Sequence, residues 1–280
     1  MAGQIGPLVI VGGAEDKKGE CRILRRFVEL GGGKNARVLV ITVATELPVE
    51  VGAEYIEVFE RIGVGDVRTF DVSKRDAANL DSAVKMIENA SCIYFTGGDQ
   101  LRITKLLGGT RVDAALHEAA HHGVTLGGTS AGASMMSSTM IVEGEAETNP
   151  RVSIVDMAPG MEFLDGVVID QHFAQRGRLG RLLSAVAQYP HHLGLGIDEN
   201  TAVIVQNHVL EVIGEGAVSI VDAGSVTYSN LDSVSRDESL ALCDVKLHTL
   251  PEGCGFELRE RKPIPDFQDW VRKHNKELSS

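Results

Sequence analysis

Covalent staples are scarce in this sequence. Four cysteines in 280 residues, Cys21, Cys92, Cys243 and Cys254, form no C-x-x-C pair. That is too few for a disulfide framework and reads as reduced, buried thiols of a cytoplasmic protein. No run approaches the roughly 18 apolar residues of a membrane-spanning helix, so no membrane partner is expected. The N-terminus, MAGQIGPLVIVGGAED, has no basic stretch ahead of a long apolar core, so its 7–11 run is expected to be a strand rather than a secretory signal. Basic residues are outnumbered, 27 Lys+Arg against 39 Asp+Glu, for a net charge of -12. The missing basic surplus argues against a nucleic-acid partner. There is no Pro/Ser-rich linker, charge block or internal repeat, so residues 1–280 are expected to form a single domain. Hydrophobic residues at 43% and charged residues at 24% lie near the globular average, which excludes a mainly disordered chain.

What is present is an alternation of short β-branched runs with amphipathic stretches. Residues 8–11, 38–43, 67–70 and 92–95 read as buried strands, and roughly 18–30, 49–62, 76–89 and 111–122 carry helical periodicity. This pattern implies an α/β fold with a mainly parallel sheet flanked by helices. Further on, 167–169 is another buried run, 176–188 is helical, and 194–258 is strand-rich with Gly punctuation. These later strands are expected to be antiparallel, extending the same sheet or packing beside it. Residues 265–278 read as a terminal helix. Ligands of open α/β sheets gather at the carboxyl ends of the strands, so the site is expected there.

The sharpest motif is Gly128-Thr129-Ser130-Ala131-Gly132, a G-x-S-x-G pattern. Composition alone yields about 0.2 such copies by chance, so its context matters more than the pattern. An apolar run, 124–126, precedes it, and a small-residue stretch, 133–138, follows and could open a helix. That is the setting of a nucleophile elbow, in which a tight strand-to-helix turn lifts a Ser hydroxyl above the sheet. The Ala131 N–H would then face a developing oxyanion.

A nucleophilic Ser needs a base, and His172 has the best setting, at the polar end of the 167–169 strand, although a lone His is more often merely solvated. Asp198 or Glu199, between two apolar runs, could fix the imidazole tautomer; an ordinary Asx-type turn explains them equally well. In Thr96-Gly97-Gly98-Asp99-Gln100 the Gly98 N–H could be a second oxyanion donor and Gln100 could hold substrate. The competing reading is a helix start with Asp99 as its N-cap. Arg176, Arg178 and Arg181 could capture substrate carboxylates, or could simply lie on a solvated helix face.

His117-Glu118-Ala119-Ala120-His121 matches H-E-x-x-H, a zinc-hydrolase pattern expected about 0.02 times by chance. No third ligand is evident downstream, so it reads as a helix surface carrying two histidines, and no metal is expected. Gly12-Gly13 could cradle a nucleotide in a non-catalytic binding module. However, the turn lacks G-x-G-x-x-G, and Glu15 and Asp16 would repel phosphate.

Taken together, Gly128 to Ala133, the Thr96–Gln100 loop, and Asp170-Gln171-His172-Phe173 through Arg176, Arg178 and Arg181 closely resemble the cyanophycinases. These belong to a serine peptidase family that also contains aspartyl dipeptidases. The resemblance runs from Val9 to Ala202. It implies a class I glutamine amidotransferase-like fold with Ser130 as nucleophile, His172 as base and Glu199 as its carboxylate partner. It also implies Gln100, Asp170, Gln171, Arg176, Arg178 and Arg181 as substrate-binding residues, a homodimer, and no cofactor. The implied substrate is cyanophycin, a poly-aspartate with Arg on each side-chain carboxyl, cut to β-Asp-Arg dipeptides. An aspartyl or β-aspartyl dipeptidase with the same triad is the alternative; the three arginines favour the polymer.

Overall fold

Five apolar runs build the centre of the molecule: β1 (Leu8–Val11), β2 (Arg37–Ile41), β3 (Asp66–Phe70), β4 (Cys92–Phe95) and β5 (Thr125–Thr129). The computed structural model describes residues 5–144 and 149–274. In it these strands lie parallel in the order β1-β5-β4-β2-β3. Their crossovers are α1 (Arg22–Leu30), α2 (Pro48–Arg61), α3 (Asp81–Glu88), α4 (Gln100–Leu107) and α5 (Arg111–His121).

Alternate strand residues go to opposite cores. Leu8, Ile10, Leu39, Ile41, Ile93 and Phe95 pack under α3, α4 and α5. Val9, Val11, Val38, Val40, Cys92 and Tyr94 pack under α1 and α2. Both faces are covered, which is why the strands read as unbroken apolar runs instead of alternating with polar residues.

Beyond β5 come the single turn α6 (Ala131–Ser134) and the hairpin β6 (Thr139–Gly144) and β7 (Val155–Pro159). Then follow β8 (Val167–Gln171), α7 (Leu179–Gln188) and β9 (Leu193–Ile197). Next are β10 (Thr201–Gln206), β11 (Val209–Gly214), β12 (Ala217–Asp222) and the ribbon β13 (Tyr228–Ser229) and β14 (Leu242–Cys243). The chain continues through β15 (Lys246–Pro251), β16 (Gly255–Glu257), β17 (Lys262–Ile264) and α8 (Phe267–His274).

The late strands take both expected places. β10, β11, β16 and β17 extend the central sheet antiparallel beyond β1, making it nine-stranded. β8, β9, β12 and β15 form a separate four-stranded sheet. The central sheet is therefore mixed, with a parallel half and an antiparallel wing.

Some boundaries differ from the sequence pattern for local reasons. The 76–89 stretch divides into a 3-10 turn, Arg75–Asn79, and α3. The 176–188 helix begins only at Leu179, because Gly177 at φ 60 ends a preceding 3-10 turn, Ala174–Arg176. The 133–138 stretch does not extend α6, since the chain turns directly into β6. The terminal helix covers Phe267–His274, and 275–278 fall outside the described residues. Cys21 and Cys92 are buried as expected, and burial pushes the Cys92 thiol up to about 12. Cys243 is exposed and Cys254 half-buried, because the ribbon and the β15–β16 turn lie at the surface. No helix among the described residues is long and apolar enough to cross a membrane.

Candidate active site

The Ser130 turn is built from steric necessity. Ser130 sits between β5 and α6 at φ 53, ψ -110, a region that non-glycine residues rarely occupy. A Cβ on Gly128 would lie 2.2 Å from the Gly132 carbonyl oxygen, and one on Gly132 would lie 2.4 Å from that of Phe95. The outer positions of G-x-S-x-G therefore have to be glycine for so sharp a turn to pack on β4.

The Ser130 hydroxyl donates to Nε2 of His172 across 3.0 Å. In the tautomer this bond requires, His172 Nδ1–H donates to Glu199 Oε1 at 2.6 Å. His172 follows the end of β8 at φ 49, and Glu199 sits in the turn between β9 and β10. Ser130 belongs to the central sheet and the other two residues to strand ends of the small sheet, so the site lies on the seam between sheets. Asp198 is otherwise engaged: its carboxylate accepts the backbone N–H groups of Ala174 at 2.9 Å and Ala217 at 3.0 Å. The geometry thus separates the two acids that sequence alone left equivalent. A hydroxyl, an imidazole and a carboxylate in series can transfer the hydroxyl proton and hold the resulting imidazolium.

The Gly97-Gly98 loop abuts the elbow; a Cβ on Gly97 would come within 3.5 Å of the Ser130 Cβ. Gly98 adopts φ 145, where a Cβ would strike the Ala44 carbonyl oxygen at 2.1 Å. Asp99 N–H donates to that same oxygen at 2.9 Å, which pins the loop. Among the described residues no acceptor takes the N–H of Gly98 or of Ala131, leaving both available to an oxyanion. Asp99 also caps α4, accepting from Leu101 N–H at 2.8 Å, so loop and helix start coexist.

The six residues singled out for substrate are placed unevenly. Asp170 is fully buried and its carboxylate is taken by Arg178 and Arg181, with the Arg181 Nε contact at 2.9 Å. Its oxygens are thus already paired inside, whereas the resemblance implies a substrate-binding role for Asp170. Arg178 and Arg181 are likewise buried rather than displayed on a solvated face. Arg178 also donates to the Gln171 carbonyl and, at 2.5 Å, to Gln171 Oε1; Arg181 donates to the Gly144 carbonyl at 3.0 Å. Burial pushes the Arg178 guanidinium down to about 10, against the pull of Asp170. Gln171 in turn donates to Ser134 Oγ at 3.3 Å, and Gln100 donates to the carbonyls of Ile141 and Val142 at 2.9 and 2.6 Å. The Gln100 amide therefore ties α4 to β6, and the Gln171 amide ties β8 to α6. Arg176 alone of the three arginines is exposed. Arg178 and Arg181 reach an open cleft of about 520 Å³ whose rim carries the exposed Glu143 and Asp156.

His117 stacks on Phe163, ring centroids 4.6 Å apart, and lies 3.6 Å from Asp113; His121 is exposed at the end of α5. Among the described residues no group of three His, Cys, Asp or Glu could hold a metal ion. The Gly12-Gly13 turn lies against the site itself: a Cβ on Gly13, at φ 105, would come within 2.3 Å of the His172 ring. Neighbouring Glu15, 4% exposed, accepts hydroxyls from Tyr55, Tyr94 and Thr129. The sequence pattern assigns Glu15 no role in the site; an acid two positions after Gly12-Gly13 is its one signal.

The chain is similar to known proteins over most of its length. The model of peptidase family S51 matches residues 8–213. A cyanophycinase of Geminocystis herdmanii is 38% identical over 259 residues, covering 92% of this chain and 95% of the relative. One of Nostoc is 39% identical over 260 residues, covering 92% and 87%. A solved peptidase from an acI-B1 Actinobacterium superposes with a TM-score of 0.68 at 21% identity, over 91% of this chain and 97% of its own, and so shares the fold. A match spanning most of the chain, with relatives of this identity and coverage, places the protein in peptidase family S51.

Proposed function

We propose that the protein is a cyanophycinase, a serine-type exopeptidase that releases β-Asp-Arg dipeptides from the poly-aspartate backbone of cyanophycin. The observation that carries this is the unbroken Ser130–His172–Glu199 series at a nucleophile elbow, in a chain 38–39% identical to cyanophycinases.

His172 takes the Ser130 proton as Oγ attacks the backbone carbonyl carbon. The N–H groups of Ala131 and Gly98 hold the oxyanion. His172 then protonates the leaving amine, and water, activated by the same imidazole, releases the acyl group and regenerates Ser130. The reaction uses no metal or cofactor. Glu199 keeps the imidazole in the reactive tautomer and stabilises its cation.

On the substrate side, the exposed Arg176 suits a substrate carboxylate, whereas Arg178 and Arg181 line the cleft beside Glu143 and Asp156. The exposed carboxylates of Glu143 and Asp156 suit a substrate guanidinium. We place the enzyme in the cytoplasm as a homodimer. The test compares kcat/KM on cyanophycin with that on free Asp-X dipeptides. At least tenfold preference for the polymer is expected; a reversed ratio assigns the chain to the aspartyl dipeptidases instead.

A further inference from the structure

The segment from Val11 to Asp16 touches Ser130, His172 and the residue that follows Glu199. Ser130 N–H donates to the Val11 carbonyl at 3.1 Å, and His172 N–H donates to that of Gly12 at 2.7 Å. Asn200 N–H, next to Glu199, donates to the Gly13 carbonyl at 2.9 Å, and the Asn200 side-chain oxygen accepts from Asp16 N–H at 2.8 Å. Three residues that come from two different sheets are thus registered on one short turn. Such a turn positions the triad only as well as it is itself held.

What holds it is a buried acid. The Glu15 side chain enters the core between β1 and β4, under α2. There Oε2 accepts the Thr129 hydroxyl at 2.5 Å, and Oε1 accepts the hydroxyls of Tyr94, at 3.1 Å, and Tyr55. Those tyrosines belong to a cluster with Phe27 and Phe59, ring centroids 5.2–6.1 Å apart. Burial and the Glu15 charge push both phenols well above their usual range, which keeps them protonated donors. A buried carboxylate deprived of such donors would be costly, so the four side chains form one unit. Thr129 is the residue immediately before Ser130. The carboxylate therefore clamps the turn at one end and the base of the elbow at the other.

We infer that Glu15 is a positioning residue for the Ser130–His172–Glu199 triad, acting through Thr129 to fix the nucleophile against the Gly12-Gly13 turn. The inference rests on the triad reading above. Glu15 touches no substrate; its effect is on the distance and angle between Ser130 Oγ and His172 Nε2.

A double-mutant cycle tests this, with kcat and KM measured on cyanophycin and thermal melting measured for each variant. Thr129→Val removes one hydroxyl at nearly constant volume, and Glu15→Gln replaces the acceptor pair by a group that must also donate. Misplacement on the ångström scale costs about 10²-fold, so each variant should lower kcat by roughly 10–100-fold with KM within about twofold. The double variant should be no worse than the poorer single, because both break one path. Tyr55→Phe, which removes one donor to the same carboxylate, should lower kcat by less than Thr129→Val, because the Tyr94 hydroxyl still holds Oε1. Folded Thr129→Val with kcat within twofold of wild type overturns the inference, as do losses that multiply in the double variant. Should Glu15→Gln fail to fold, Thr129→Val alone decides. Ser130→Ala run alongside separates the two readings. Activity retained there removes the triad itself, whereas an inactive Ser130→Ala beside an unimpaired Thr129→Val removes only the role of Glu15.

Discussion

Asp16 closes the turn that carries the site, and it does so with charge. Its carboxylate accepts backbone N–H bonds from Lys18 at 2.9 Å, Gly19 at 2.7 Å and Cys21 at 3.0 Å. Those bonds, led by Cys21 and Gly19, favour the ionised form and bring its pKa from 3.8 down to about 2. A carboxyl held more acidic in the folded state contributes stability that is present above pH 3.8 and lost as the pH falls through about 2. Asp16→Asn should therefore melt lower than wild type at pH 7, with the difference shrinking between pH 4 and pH 2. A constant gap across that range, followed by calorimetry, would mean that the ionised carboxylate is not the source. Residues of this kind were half visible in the sequence. Ser130 and the outer glycines declared themselves by pattern, because the sterics of the turn admit little else. Glu15 did not, since its partners Tyr55, Tyr94 and Thr129 lie 40 to 114 positions away and only folding gathers them.

For whole elements, four of the five strands of the parallel half are legible to within two residues, because burial on both faces leaves continuous apolar runs such as 8–11 and 92–95. The glycines that end β5 hide its last three residues. Helix starts were less readable where a glycine intervenes, as Gly177 does before α7. The displacement has a consequence. With α7 starting at Leu179, Arg178 and Arg181 turn inward onto Asp170 at the end of β8, instead of outward to solvent. Two guanidiniums and one carboxylate in the interior are tolerable only as a set. Asp170→Asn, which leaves both cations without a counter-charge, is expected to lower the unfolding free energy by about 3–5 kcal/mol, measured by urea titration. A loss of activity at unchanged stability would instead return Asp170 to direct contact with substrate.

The molecule as a whole is organised by the seam between its two sheets. The nine-stranded sheet supplies the elbow after β5 and the turn after β1, while the four-stranded sheet supplies His172 and Glu199. The sequence pattern allows the late strands either to extend the first sheet or to pack beside it, and the molecule does both. Pairing partners of strands as short as β16 and β17 are chosen by tertiary contacts, not by local pattern. The seam also explains why the catalytic residues lie 42 and 27 positions apart in the chain yet meet through two hydrogen bonds.

The most direct test is to incubate wild-type protein and Ser130→Ala with insoluble cyanophycin and identify the released material by mass. Wild type should release β-Asp-Arg dipeptide, and Ser130→Ala should release at least about 10³-fold less while melting as wild type does. Equal release from Ser130→Ala, or none from folded wild type, would contradict the account.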